Sequence, residues 1–168
     1  MQTGVQISVE DYLSTSYRPD CEYLDGVLLE RNLGEFDHSR LQMRLSAYLF
    51  MREAQWGIQV VPEQRVQVKA TRFRVPDICA IVRGTNPTPI FTEPPFLCVE
   101  ILSKDDTMSE MLERVNDYLD FGVPNVWVVD PKKRRAWVYT REGIREAADG
   151  MLRAKNPDVA VPLSEIFE

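Results

Sequence analysis

VPDICAIV (residues 75–82) and FLCVEILS (residues 96–103) each place one acid, Asp77 and Glu100, inside a run that otherwise reads as buried strand. If the two runs pair antiparallel, the register that sets Asp77 opposite Glu100 also sets Cys79 opposite Cys98. One sheet face then carries both acids and both thiols. Carboxylates facing each other across strands repel, so a fold that keeps them needs a cation, a shared proton or basic partners beside them. A hard divalent ion meets that need, because Mg²⁺ takes a carboxylate or two, a backbone carbonyl and several waters. The plainer alternative is that Asp77 ends a strand after Pro76 while Glu100 pairs with an arginine.

The surrounding sequence builds an α/β protein around these runs. Ser8, with Asp11 three residues on, opens a short helix in SVEDYLSTS, and CEYLDGVLLER reads as a strand pair turned at Asp25-Gly26. From Asp37 to Gly57 a long helix is expected, with Leu41, Leu45, Tyr48, Leu49 and Trp56 on one side. IQVVPEQRVQVKA precedes the two acid-bearing runs as a further β-rich run. A second long helix follows them, capped by Thr107 and Glu110, with Met108, Met111, Leu112, Val115 and Leu119 as its apolar stripe and Gly122 and Pro124 as its stop. NVWVVDPKKRRAWVYTREGI reads as two strands around a basic turn, and MLRAKNPDVAVPLSEIF as a final edge strand and short helix. The step from FLCVEILS through the second helix to NVWVVD is a β-α-β crossover, which makes that strand pair parallel within a mixed sheet.

The 168 residues, 44% of them hydrophobic and 27% charged, are enough for one globular domain spanning 1–168. No apolar run reaches the ~18–20 residues of a membrane span, and the first residues lack the pattern of a signal peptide, so a cytoplasmic location is expected. Cys21, Cys79 and Cys98 stand at no metal-ligand spacing and are expected as buried, reduced thiols. A formal net charge of −6 argues against a broadly basic surface, leaving any nucleic-acid partner to be recognised by a local site.

The Pro-Asp that opens one strand, the acid late in the next and the helix directly afterwards resemble the PD-(D/E)XK nuclease superfamily. More narrowly, CEYLDGVL, DHSRLQMRLSAYL, VPDICAIV, PPFLCVEILS, YLDFGVPNVWVVDP and VPLSEIF follow in an order and spacing similar to the Uma-two family of restriction endonucleases. The resemblance runs from Val9 to the C-terminus. It implies a restriction-endonuclease-like mixed β-sheet flanked by helices, with Asp77 and Glu100 as metal ligands, the Ile101 carbonyl as a third, Mg²⁺ (or Mn²⁺) as cofactor and DNA as substrate.

In the lysine the sequence departs from this pattern. The superfamily's lysine stands two residues after the second acid, where this chain has Leu102. Sequences similar to Uma-two place a lysine instead on the following helix, four residues before the tyrosine of Y…GVP, and that position is Arg114. Arg114 and Lys104 are thus the candidate catalytic cations. Arginine stays protonated and cannot act as a base, but its fork can hold a phosphate. Alternatively, Arg114 forms an i,i+4 ion pair with Glu110 on a solvated helix face.

Four further features carry two readings each. His38 matches a family histidine or is an ordinary exposed residue; Glu22 joins the metal's outer shell or forms a cross-strand ion pair; Glu63, after Pro62, has the same two readings. Lys132 to Arg135 touch phosphates or decorate a hairpin tip. The function expected is a metal-dependent endonuclease that hydrolyses DNA phosphodiester bonds, a homodimer being a natural arrangement for cutting both strands. The alternatives are a nuclease-like fold that binds nucleic acid or protein without cleavage, and a structural module in which arginines partner the acid pair.

Overall fold

The computed structural model describes residues 6–32 and 34–167. The chain begins with α1 (Val9–Ser14), where the Ser8 hydroxyl accepts the Asp11 N–H. β1 (Cys21–Leu24) and β2 (Val27–Glu30) follow as an antiparallel hairpin. Asp25 and Gly26 both take positive φ at its tip, the conformation that matches the twist of paired strands.

The long helix expected from Asp37 is divided. α2 (Phe36–Phe50) buries Leu41, Leu45 and Leu49 at i, i+4 spacing, the chain breaks at Met51-Arg52, and α3 (Glu53–Trp56) ends on Gly57 in the left-handed region. The run IQVVPEQRVQVKA is likewise two strands. β3 (Ile58–Pro62) and β4 (Val66–Lys69) belong to different sheets, because Pro62 lacks an N–H and Glu63 takes positive φ, which turns the chain out of the first ladder.

Next come β5 (Arg72–Arg74), β6 (Ile78–Val82), β7 (Leu97–Ile101), α4 (Met108–Phe121), β8 (Asn125–Asp130), β9 (Arg135–Thr140) and β10 (Gly143–Glu146). β11 (Met151–Ala154) and β12 (Val159–Pro162) then form a hairpin of their own, where a single edge strand was expected, and α5 (Leu163–Ile166) follows. The turn KNPD between them had masked the second short alternating run.

The main sheet has the order β10-β9-β8-β7-β6-β3, and a second sheet has the order β2-β1-β5-β4. β7 and β8 are parallel, joined through α4, whereas β3–β6 and β6–β7 are antiparallel, giving the mixed sheet. β6, β7 and β8 are buried on both faces, which is why their sequences read as continuous apolar runs. Ile78, Ala80, Val99 and Trp127 face one core with α2 and the β11–β12 hairpin. Cys79, Ile81, Cys98 and Val128 face the other, under Met111, Val115 and Tyr118 of α4.

The buried side of α4 is rotated from its expected stripe. Met108 and Leu112 are exposed, while Tyr118 and Asp117 are buried. A charge explains the rotation. Arg74 of β5 donates through Nε to Asp117 Oδ2 at 2.8 Å and through Nη1 to Glu22 Oε2 at 2.8 Å, so a buried guanidinium ties the second sheet to α4. Arg74, Glu22 and Asp117 are all buried, and truncating the shared cation leaves Asp117 to Arg72 and Lys69 and Glu22 to the Val75 N–H and the more distant Arg114. Arg74→Ala should therefore lower the unfolding free energy by about 3–5 kcal/mol, as measured by urea denaturation.

Candidate active site

The sheet register sets the acids face to face. Cys79 pairs with Cys98 and Ile78 with Val99, so continuing that ladder by one residue brings Asp77 opposite Glu100. The two thiols of this face lie 3.9 Å apart, and all three cysteines are buried and free. Asp77 sits just before β6, where its Oδ2 accepts the Ile101 N–H at 2.7 Å. This bond fixes the carboxylate against β7 at the point where Glu100 emerges.

Each acid has its own partners. Arg31, just beyond β2, donates through Nη2 to Asp77 Oδ1 at 2.9 Å, and His38 Nε2 lies 3.3 Å from Asp77 Oδ2. Tyr118 of α4 donates its hydroxyl to Glu100 Oε1 at 2.6 Å. Burial and then the charge of Glu100 hold the Tyr118 hydroxyl well above its ordinary pKa, so it remains a donor. Asp77, Glu100, Arg31 and His38, with Glu22 and Arg114, line a narrow cleft of about 50 Å³, and Tyr118 supports Glu100 from the core behind it.

Arg114 reaches this cleft, but not through the partner expected for it. Glu110 is occupied at the helix start, where it caps the Thr107 N–H, and Arg114 instead donates to Asp106 Oδ1 at 2.9 Å with its Nε 3.9 Å from Glu22 Oε2. Asp106 is itself fixed, because its other oxygen accepts the Ser103 N–H at 2.7 Å. Lys104 points elsewhere. Its Nζ lies 2.7 Å from Glu35 Oε1 on the exposed surface, outside the cleft lining.

The remaining features divide as follows. Glu22 makes the cross-strand pair with Arg74 and also accepts the Val75 N–H at 3.0 Å, so it borders the cleft while bracing the second sheet. His38 is half-buried beside Asp77, which corrects its reading as an ordinary exposed residue. Glu63 stands behind Arg31 at 3.5 Å. In the turn after β8, Asp130 accepts the Lys132 and Lys133 N–H groups, and Arg135 pairs with Glu146. Arg31, Asp106 and Tyr118 are site residues that the sequence did not reveal. Only Tyr118, at the edge of the apolar stripe and in the Y…GVP pattern, carried any local signal.

Charge in the cleft is unevenly balanced. Burial, followed by the negative charges of Asp77 and Glu22, pushes the Glu100 carboxyl up to about 8 against the opposing pull of Arg114 and the Tyr118 hydrogen bond. Burial draws His38 downward, but its hydrogen bond to Asp77 and the charge of that acid outweigh burial and raise it. Burial also opposes the charge on Arg114, and the field of Glu100, Glu22 and Asp106 overcomes it, leaving the guanidinium more firmly protonated than usual.

These shifts have one sign for stability. A carboxyl that binds its proton more tightly when folded becomes a cost as pH rises from its unfolded value of 4.5 to about 8, and a histidine raised by folding loses its contribution as pH rises through its folded value. Without divalent ions, unfolding free energy should therefore fall between pH 4.5 and 8 by an amount on the order of a few kcal/mol. Glu100→Gln should flatten most of that slope in chemical denaturation across the same range. A slope unchanged in this variant would place its source elsewhere.

No curated protein matches the chain significantly. Among solved structures, a protein from Anabaena variabilis ATCC 29413, described as "a putative nuclease belonging to DUF820", superposes with a TM-score of 0.80 over 96% of this chain and 97% of its own, at 19% identity. At that identity the match speaks for the fold, the mixed sheet flanked by helices. The profile of the Uma2 family, described as "Putative restriction endonuclease", matches residues 9–166. The matched span takes in both acid-bearing strands, the helix that carries Arg114 and all of the cleft, and the chain belongs to the Uma2 family.

Proposed function

We propose that this protein is a divalent-metal-dependent endonuclease that hydrolyses DNA phosphodiester bonds at the Asp77–Glu100 cleft. The observation that carries the reading is the convergence of two buried carboxylates from adjacent strands with a guanidinium from the next helix. Family membership supports phosphodiester chemistry in general, and the local geometry supports this cleft as its place.

The donor set suits a hard cation. Burial, and then the charge of Asp77, raise Glu100, so its ionised form at neutral pH calls for a positive partner. Asp77 and Glu100, with the Ile101 carbonyl, would hold Mg²⁺ or Mn²⁺. Such an ion supplies charge neutralisation and Lewis acidity toward water and a phosphate oxygen. Among the described residues no group of three or more His, Cys, Asp or Glu side chains is placed to hold a metal ion, so a cation here would rest on the two acids, a backbone carbonyl and water.

Tyr118 orients Glu100, while Arg31, His38 and the Ile101 N–H orient Asp77. Arg114 is always charged, so its role is to hold the scissile phosphate and to offset charge developing there. Asp106 and Glu22 aim it from behind.

A second reading, binding without cleavage, is favoured by one specific observation. No lysine lines the cleft among the described residues, and Leu102, at the superfamily's usual lysine position, packs with the apolar side chains under α4.

Nicking of supercoiled DNA and cleavage of single-stranded DNA in Mg²⁺ or Mn²⁺ separate the two readings. Asp77→Asn and Glu100→Gln should abolish Mn²⁺ binding in calorimetry without unfolding the protein. Arg114→Ala should lower the cleavage rate on the order of 10²-fold or more, and Arg114→Lys should retain or raise it. Wild type and Arg114→Lys both binding Mn²⁺ but leaving DNA intact would establish the non-cleaving reading. Equal Mn²⁺ affinity in wild type and both acid variants would remove the metal site.

A further inference from the structure

The outer face of α2 is apolar where solvent should favour polar side chains. Phe36, Met43, Phe50 and Met51 are 77%, 65%, 64% and 79% exposed, four of the five most exposed large apolar side chains among the described residues. Around a helix of 3.6 residues per turn they fall within a sector of about 100°, with exposed Ala47 and one charged residue, Arg40, among them and Leu41, Leu45 and Leu49 on the opposite, buried side. An amphipathic surface helix has one apolar stripe; α2 has two.

The second stripe has a symmetry that selects its occupant. Phe36, Met43 and Phe50 are spaced by two equal steps of seven residues, so these three read the same from either end about Met43, while Met51 falls opposite Glu35. Two copies laid antiparallel would set Met43 against Met43 and Phe36 against Phe50 of the other copy, as an isologous interface requires. The area is also sufficient. At these exposures the four side chains present roughly 550 Å² per copy, since each offers on the order of 200 Å² when free. Two copies with their flanking residues then reach the lower end of the roughly 1,200–2,000 Å² of specific interfaces.

We propose that the outer face of α2 is a two-fold interface between two copies of this chain, with the helices antiparallel and Met43 on the dyad. The inference is independent of the nuclease reading. It makes α2 a bridge between two clefts, since His38 lies on the same helix only five residues from the dyad.

The test is the mass of the full chain in solution by sedimentation velocity. Wild type should sediment as a dimer, and Met43→Asp, which sets like charges against each other at the dyad, should halve the mass with an unchanged circular dichroism spectrum. Ile144→Asp, at a comparably exposed apolar residue on β10, should remain dimeric. A short bismaleimide should join Phe36→Cys to Phe50→Cys in a mixture of the two variants and leave Phe36→Cys unlinked to itself, because equivalent Phe36 positions lie about 20 Å apart along antiparallel helices. A monomeric wild type, a Met43→Asp variant that stays dimeric, or efficient Phe36→Cys self-linkage would each overturn the proposal. So would a monomer that binds anionic phospholipid vesicles through this face, with binding lost in Met43→Asp.

Discussion

A slip of one residue between β6 and β7 would move Asp77, Cys79 and Ile81 from the α4 side of the sheet to the α2 side, because side chains alternate along a strand. Everything at the cleft depends on that slip not occurring. The pairing of Cys79 with Cys98 and of Ile78 with Val99 holds the two faces apart, one packed under Met111, Val115 and Tyr118 and the other under α2. The hydrogen bond from the Ile101 N–H to Asp77 then extends the ladder by a side chain at the point where the strand itself has ended. The acids meet because apolar residues two places away fit only one register.

Bringing acids together creates a charge problem that the rest of the molecule answers with arginine. Arg31 meets Asp77, Arg74 joins Glu22 to Asp117, and Arg114 stands between Asp106 and Glu22. A guanidinium suits these places because its fork serves two carboxylates at once and keeps its charge under partial burial. The answer is incomplete at Glu100, whose nearest donor is the neutral hydroxyl of Tyr118. That is where burial and the neighbouring acid raise the pKa, and where a cation would be most favourable.

The same arrangement links stability to chemistry. Glu22 is bound to Arg74 on one side and approached by Arg114 on the other, so the brace between the second sheet and α4 also borders the cleft. α2 contributes at a different level, with its inner leucines building the core, its first turn placing His38 beside Asp77, and its outer face turned to solvent. Loss of any of these would be felt in more than one measurement, which is why substitutions here are best read with folding checked in parallel.

The sequence by itself determined whatever depends on short-range periodicity: the acid-bearing strands and their register, the parallel crossover through α4, the Thr107–Glu110 cap and the Asp25-Gly26 turn. Two-residue alternation, turn chemistry and capping act over a few residues, so they are written where they act. The splitting of α2 from α3 and of β3 from β4 was less legible, since an apolar pattern runs on across the bend, which lies at Arg52 (φ −114°, ψ 7°) in the first case and at Glu63, with positive φ, in the second. Only the tertiary structure decided the charge partners. Arg31 lies 46 residues from Asp77, and Arg74 lies 52 from Glu22 and 43 from Asp117. A long side chain can reach any acid the fold brings within its length, so Glu110, one turn away, was the natural partner for Arg114 in sequence and Asp106 the actual one in space. Periodicity fixes which face a residue takes; the packing of sheets and helices fixes what it meets there.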